Sequence, residues 1–229
     1  PMPVAIEYFN NEALNLLRIL RDRFEEIPEL KSHFHAAVYV EFHGADSSAL
    51  EERAEFIFKT MVSLGAGEDD CWSAEGEKEL ELRKAFRHAV PEAVNLLIDE
   101  RKKETPGLTK LGTDMSVPDA ELEAVMELYN EGLKAAKLES VIFGHIGNNH
   151  VHVNILPRDV ADYEKGKSLY LLWADQVVAM GGSVSAEHGI GKLKVPMLGK
   201  MFGVDGIAAM RVVKNIFDAE GLLNVGNLF

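Results

Sequence analysis

The sequence predicts an α+β fold: a mixed or antiparallel sheet with helices packed on it. Two observations carry that prediction. Apolar alternation through Ser140–Leu156 pauses only around Gly147, Asn148 and Asn149, which reads as a β-hairpin joining antiparallel neighbours. Ahead of it, strand-like and helix-like stretches alternate from Val4 onward, with no repeat of fixed period and no low-complexity segment.

Val4 to Phe9 reads as a strand, and Asn10 or Asn11 then caps an amphipathic helix through about Phe24, stopped by Ile27-Pro28. Ala36 to Phe42 is a second strand. Ser48-Ala-Leu-Glu51 resembles a capping box opening a helix that ends at Gly65. Gly76 to about Lys103 reads as a long charged helix interrupted or kinked at Pro91, because proline removes a backbone donor and crowds the preceding turn. Leu108 to Pro118 is extended, and Pro118-Asp119 starts a helix through about Leu138. After the hairpin, Asp162 to Met180 is a helix closed by Gly181-Gly182, Ser183 to Ala186 a short strand, and about Asp205 to Glu220 the last helix.

Composition narrows the function classes. With 229 residues the chain can bury a substantial core as one large domain or two small ones. A net charge of −13 argues against nucleic acid and anionic membranes, which attract clustered Lys and Arg. No apolar run approaches the ~20 residues that span a bilayer, which with the single cysteine predicts a cytoplasmic protein. That cysteine, Cys71, has no activating surroundings and reads as structural. A start at Pro1 followed at once by a strand suggests a piece of something longer.

The hairpin carries the chemistry. If Asn148-Asn149 is a two-residue loop, Gly147 faces His150 and His145 faces His152, with opposed Cβ atoms roughly 4.5–5.5 Å apart, close enough for two imidazoles to share a metal ion. Period-two alternation adds His150 and Asn154 to the face of His152. A lone histidine on a strand is ordinarily a satisfied polar group; a cross-strand pair beside a tight turn is harder to explain that way. Glu187-His188 follows in a glycine-rich turn, where side chains are presented rather than packed. Two His and one Glu give a three-ligand site with positions left open, and His188 suits acid–base work beside it. Gly191-Lys192 is not a phosphate loop, since Leu193 replaces the required Ser or Thr and Ala186 the first glycine.

Three motifs in order, Gly144-His-Ile-Gly-Asn-Asn-His-Val-His-Val-Asn154, Glu187-His-Gly-Ile-Gly191 and Glu220-Gly-Leu-Leu-Asn-Val-Gly226, resemble the C-terminal domain of FAD-linked oxidases. That family includes D-lactate dehydrogenase, the glycolate oxidase flavoprotein subunit and D-2-hydroxyglutarate dehydrogenase. Gly112-Thr-Asp-Met-Ser-Val-Pro118 resembles the segment ahead of them, so coverage is nearly the full chain. The resemblance implies a ferredoxin-like strand and helix order, and residues 1–229 as one cap and substrate domain. It also implies FAD held mainly by an N-terminal domain to which no segment here is similar, so that the fragment alone is inactive.

The same resemblance implies the site. His145, His152 and Glu187 would hold a divalent metal, zinc first and otherwise iron or manganese. His188 would be the catalytic base, Arg87 the grip on the substrate carboxylate, Asn154 and Lys110 substrate contacts, and Asn224 a cofactor contact. The implied reaction is oxidation of a D-2-hydroxy acid with hydride transfer to FAD. Reoxidation would fall to a quinone, cytochrome or electron-transfer flavoprotein, peripheral membrane contact would come through that acceptor, and a homodimer is among the partners. Departures stand beside it. The family turn Gly-Asp-Gly-Asn is here Gly147-Asn148-Asn149-His150, losing a carboxylate and gaining an imidazole. Pro91 stands where a hydroxyl is usual, Lys110 is two residues early, and Val225 and Asn227 replace Pro and Lys. Two other readings stay open: a metal-dependent hydrolase using the same triad on water, and a non-catalytic interaction domain.

Overall fold

The computed structural model describes residues 2–24 and 27–228. These fall into two compact units, Pro1–Ala93 and Val94–Phe229. Both have α+β architecture, and the strand pairings within each are antiparallel.

In the first unit β1 (Ala5–Asn10) pairs with β2 (Ala36–Glu41) from Ala5↔Glu41 to Asn10↔Ala36. Asn10 ends β1 and caps α1 (Asn11–Ile19), its Oδ1 accepting from the Ala13 N–H at 3.0 Å. The helix buries Ala13, Leu14, Leu16 and Leu17. It stops at Ile19, short of the expected Phe24, and a 3-10 turn at Arg21–Arg23 follows. Arg18 accounts for the early turn: its guanidinium donates to the carbonyls of Leu30, Lys31 and Phe34 at 3.0, 2.7 and 2.9 Å and ties the returning chain to the helix end. Glu25 and Glu26, inside the predicted helix-to-strand connection, lie outside the described residues.

α2 (Ser47–Ser63) is capped by Asp46, whose Oδ1 accepts from Ala49 N at 3.3 Å, and not by Ser48. An ionised carboxylate one residue before the helix is the stronger acceptor for its unpaired N–H groups, and the Ser48–Glu51 box is not used. α3 (Glu77–Glu104) is 28 residues long, with Pro91 inside it. The helix is not interrupted at Pro91: Phe86, Ala89, Val90, Ala93, Val94 and Ile98 form a buried stripe at helical spacing on both sides of it. Burial of that stripe outweighs the roughly 3 kcal/mol that an internal proline costs. Cys71 is half-buried, and burial raises its thiol pKa, in keeping with a structural role.

In the second unit β4 (Ser140–His145) and β5 (His150–Ile155) form the hairpin, and β3 (Leu111–Gly112) pairs with the far side of β5 through Leu111↔Ile155 and Gly112↔Asn154. A 3-10 turn at Asp119–Glu121 leads into α4 (Leu122–Ala136), which ends on Lys137 in the left-handed region. Asp159 caps α5 (Val160–Ala179) through Asp162 N at 2.8 Å. α6 (Val195–Phe217) starts ten residues before the predicted helix, with a break at Gly203, where φ is 64° and ψ −176°. The predicted strand at Ser183–Ala186 is a single bridge, Ser183 to Ser116. Beyond it the backbone donors are taken by Asp114: Ala186 N by its carbonyl at 2.9 Å, and Glu187 N by its carboxylate at 3.1 Å. Among the described residues no helix is long and apolar enough to cross a membrane.

Candidate metal and substrate site

The hairpin turn differs from the sequence expectation in a way that moves one ligand. His145 pairs with His150, Gly144 with Val151 and Phe143 with His152, so His145 does not face His152 directly. Four residues, not two, close the turn: Ile146–Asn148 form a 3-10 turn and Asn149 takes φ 52° and ψ 33°, with Asn149 N donating to Ile146 O at 3.0 Å. Asparagine tolerates the left-handed region, so a single αL residue at Asn149 satisfies this longer loop as well as two would the shorter. Period two survives the change, and His145, His150 and His152 share a face.

Their rings cluster. Centroids are 5.5 Å apart for His145 and each of the other two, and 4.5 Å apart for His150 and His152. Glu187 Oε1 lies 3.1 Å from His145 Nε2, 3.4 Å from His152 Nε2 and 4.0 Å from His150 Nδ1. One ligand atom from each of these four residues falls within 4.8 Å of all the others. His188 stacks on His152, with centroids 5.1 Å apart and planes 6° from parallel, and is more than half exposed. Its Nε2 is 3.7 Å from Glu187 Oε1 and its Nδ1 3.8 Å from Asp114 Oδ1.

Asp114 holds this loop in place. Its fully buried carboxylate accepts from Lys194 Nζ at 2.6 Å, Ser185 Oγ at 2.7 Å, His188 N at 3.0 Å and Glu187 N at 3.1 Å. Burial alone would raise its pKa; Lys194, Ser185 and the two backbone donors outweigh burial and hold it well below the usual carboxylate range. Sequence reasoning gave Asp114 no role, although its setting between Thr113 and Met115 in an apolar segment marks it as a buried carboxylate in need of partners.

The donor set fits a divalent cation. Burial lowers the pKa of His150, and its neighbour His152 lowers it further. Burial likewise lowers that of His152, assisted by His188 and His145 against the Thr113 carbonyl. For Glu187 burial pushes upward, but His145, His150 and His152 together pull the carboxyl below its ordinary value. Shifts in these directions favour the neutral imidazoles of His150 and His152 and the ionised carboxylate of Glu187, the forms in which such groups bind a metal. His152 Nδ1 lies 3.0 Å from Thr113 O, a carbonyl that can only accept, so Nδ1 carries the proton and the Nε2 lone pair faces Glu187.

Gly144 is part of this geometry. Its φ is 124°, and a Cβ there would lie 2.8 Å from His152 Cδ2. Gly144→Ala is therefore expected to cost about 1–3 kcal/mol in strain and to swing the His152 ring away. Thermal denaturation and metal titration of the variant check both effects; a wild-type Tm and affinity would refute them.

Comparison with known proteins places this geometry in a lineage. The sequence pattern of the FAD linked oxidases, C-terminal domain, matches residues 2–228. The chain belongs to that family. A protein named D-2-hydroxyglutarate dehydrogenase from Xanthomonas citri is 29% identical over 231 residues, covering 98% of this chain and 45% of the relative. A probable mitochondrial D-lactate dehydrogenase from Danio rerio is 28% identical over 193 residues, 83% of this chain and 37% of the relative. The fold is similar to that of 4-ethylphenol oxidase from Gulosibacter chungangensis in its isoeugenol complex, with a TM-score of 0.61 at 17% identity, over 98% of this chain and 47% of that one. The chain thus spans less than half the length of these relatives.

The remaining expected positions of this FAD-linked oxidase domain lie as follows. Asn154 is buried in β5 opposite Gly112, where a Cβ would come within 3.0 Å of its Oδ1, so the glycine makes room for the amide. Lys110 Nζ donates to Asn95 Oδ1 at 3.0 Å, and burial lowers its pKa. Asn224, at φ 51°, accepts from the Asn227 backbone N–H at 3.1 Å and through Oδ1 from the Asn227 amide. Arg87 belongs to the first unit, where its guanidinium meets the buried Glu7 carboxylate at 2.6 Å.

Proposed function

We propose that this chain is the substrate-binding and catalytic cap of an FAD-dependent dehydrogenase of small D-2-hydroxy acids, of the D-lactate or glycolate type. The observation that supports it is the convergence of His145, His152 and Glu187 on one point beside His188 in a member of this family. His145, His152 and Glu187 would hold a divalent ion, which would supply the positive charge that lowers the pKa of a substrate hydroxyl. The flavin, carried by a domain outside residues 1–229, supplies the hydride acceptor.

The residues of the chain do the rest. His188 takes the hydroxyl proton at Nε2, the nitrogen turned toward Glu187, while its Nδ1 faces Asp114; stacking on His152 fixes the plane of the ring. Asn154 and Lys110 offer hydrogen bonds to the substrate's polar groups. Arg87 is the candidate for a bidentate grip on the substrate carboxylate.

With a flavin-binding domain supplied in cis or in trans, Glu187→Ala and His188→Ala are each expected to lower turnover of D-lactate or glycolate by about 10²–10⁴-fold. Unchanged turnover in both would overturn the assignment.

A further inference from the structure

Strand alternation places His150 on the site face, and its surroundings give it a role. The residue is 4% exposed, and its Nε2 has no hydrogen-bond partner. Asp114 Oδ1 lies 3.1 Å away without forming a hydrogen bond to it. Its other nitrogen, Nδ1, faces Glu187 Oε1 at 4.0 Å, beyond hydrogen-bond reach. With no hydrogen bond on either nitrogen, Nδ1, on the Glu187 side, is available to engage a ligand.

The proton placement says what. Asp114 is an ionised acceptor already holding four donors, so the proton of a neutral His150 belongs on Nε2, the side turned to that carboxylate. That leaves the Nδ1 lone pair pointing into the space bounded by His145 Nε2, His152 Nε2 and Glu187 Oε1. His152 is oriented the same way by the Thr113 carbonyl. The Thr113 carbonyl bonded behind His152 is how a ligating histidine is held; behind His150 the Asp114 carboxylate stands near without a hydrogen bond.

We propose that His150 is a fourth protein ligand, so that three imidazoles and one carboxylate hold the ion. This rests on the metal site of the preceding reading and changes its consequence. With three protein ligands a tetrahedral Zn²⁺ keeps one position for substrate; with four it keeps none. A site that also takes the hydroxyl and carboxylate of a 2-hydroxy acid then needs six positions, which selects an ion such as Mn²⁺ or Fe²⁺.

Mn²⁺ alone, added to the 229-residue chain, tests this in two ways. X-ray absorption at the metal edge of the wild type should count three imidazoles. Chelator competition should show His150→Asn and His150→Gln weakening Mn²⁺ binding at least ~10–100-fold, as His145→Ala and Glu187→Ala do. Two imidazoles, together with wild-type affinity in both His150 variants while the His145 and Glu187 variants fail to bind, would overturn the fourth ligand and leave the site standing. Wild-type affinity in the His145 and Glu187 variants, or no binding by the wild type, would overturn the site itself. Should the His150 variants not fold, the imidazole count of the wild type decides.

Discussion

Replacing Asp114 by Ala is expected to remove about 3–5 kcal/mol of stability and, with it, the placement of Glu187 and His188. The carboxylate is fully buried and serves four donors. Its loss leaves the Lys194 ammonium, itself only 12% exposed, with Ser185 Oγ at 3.0 Å as its remaining partner, and strips the Glu187 and His188 N–H groups of theirs. Removing one member of a buried ion pair costs far more than the pair contributes, because the surviving charge stays desolvated. Asp114→Asn should fall between: it keeps the volume and one acceptor but turns an NH₂ toward a donor. Urea denaturation reads the loss as a lower midpoint at unchanged slope, and metal titration of the folded fraction reads the displaced Glu187. An alanine variant within 1 kcal/mol of wild type that binds metal normally would show that the loop stands without Asp114.

That dependence explains what the sequence disclosed. The hairpin was legible because period-two alternation and a glycine-asparagine turn are local signals, and Glu187-His188 because Gly189 and Gly191 take φ 72° and 55°, which the glycines announce. The register was not, since Asn149 in the left-handed region serves a four-residue turn as readily as Asn148-Asn149 would a two-residue one. A two-residue error in loop length set His152 opposite His145 and left His150 beside Gly147; the observed pairing puts His150 there instead. Asp114 was hidden for another reason. Its partners at 185, 187, 188 and 194 are more than seventy residues away, and no periodicity connects them. The missing Ser183–Ala186 strand is partly the same effect, since past the single Ser183–Ser116 bridge Ser185 N turns back to Ser183 Oγ and Ala186 N goes to Asp114 O rather than to a ladder. Pro91 and the early end of α1 were settled by packing and by Arg18, which local propensity does not register.

Trp173→Ala should be as costly as Asp114→Ala for stability, about 3–5 kcal/mol, yet leave metal binding by the folded fraction unchanged. Trp173 is fully buried in α5, its ring 4.9 Å from Tyr129 of α4 in an edge-on contact. Gly132 of α4 lets it so close that a Cβ there would lie 3.0 Å from the indole Nε1. Truncation empties that space in the packed contact between α4 and α5. The indole N–H, however, has no acceptor. Trp173→Phe should therefore recover much of the loss, because it keeps most of the ring area and removes an unpaired donor. Denaturation midpoints order the three proteins as wild type, Phe, Ala, and chelator competition should not separate them. A Trp173→Ala protein that folds normally but no longer binds metal would place α5 in control of the histidine cluster, contrary to the grip of Asp114 on the loop that carries Glu187.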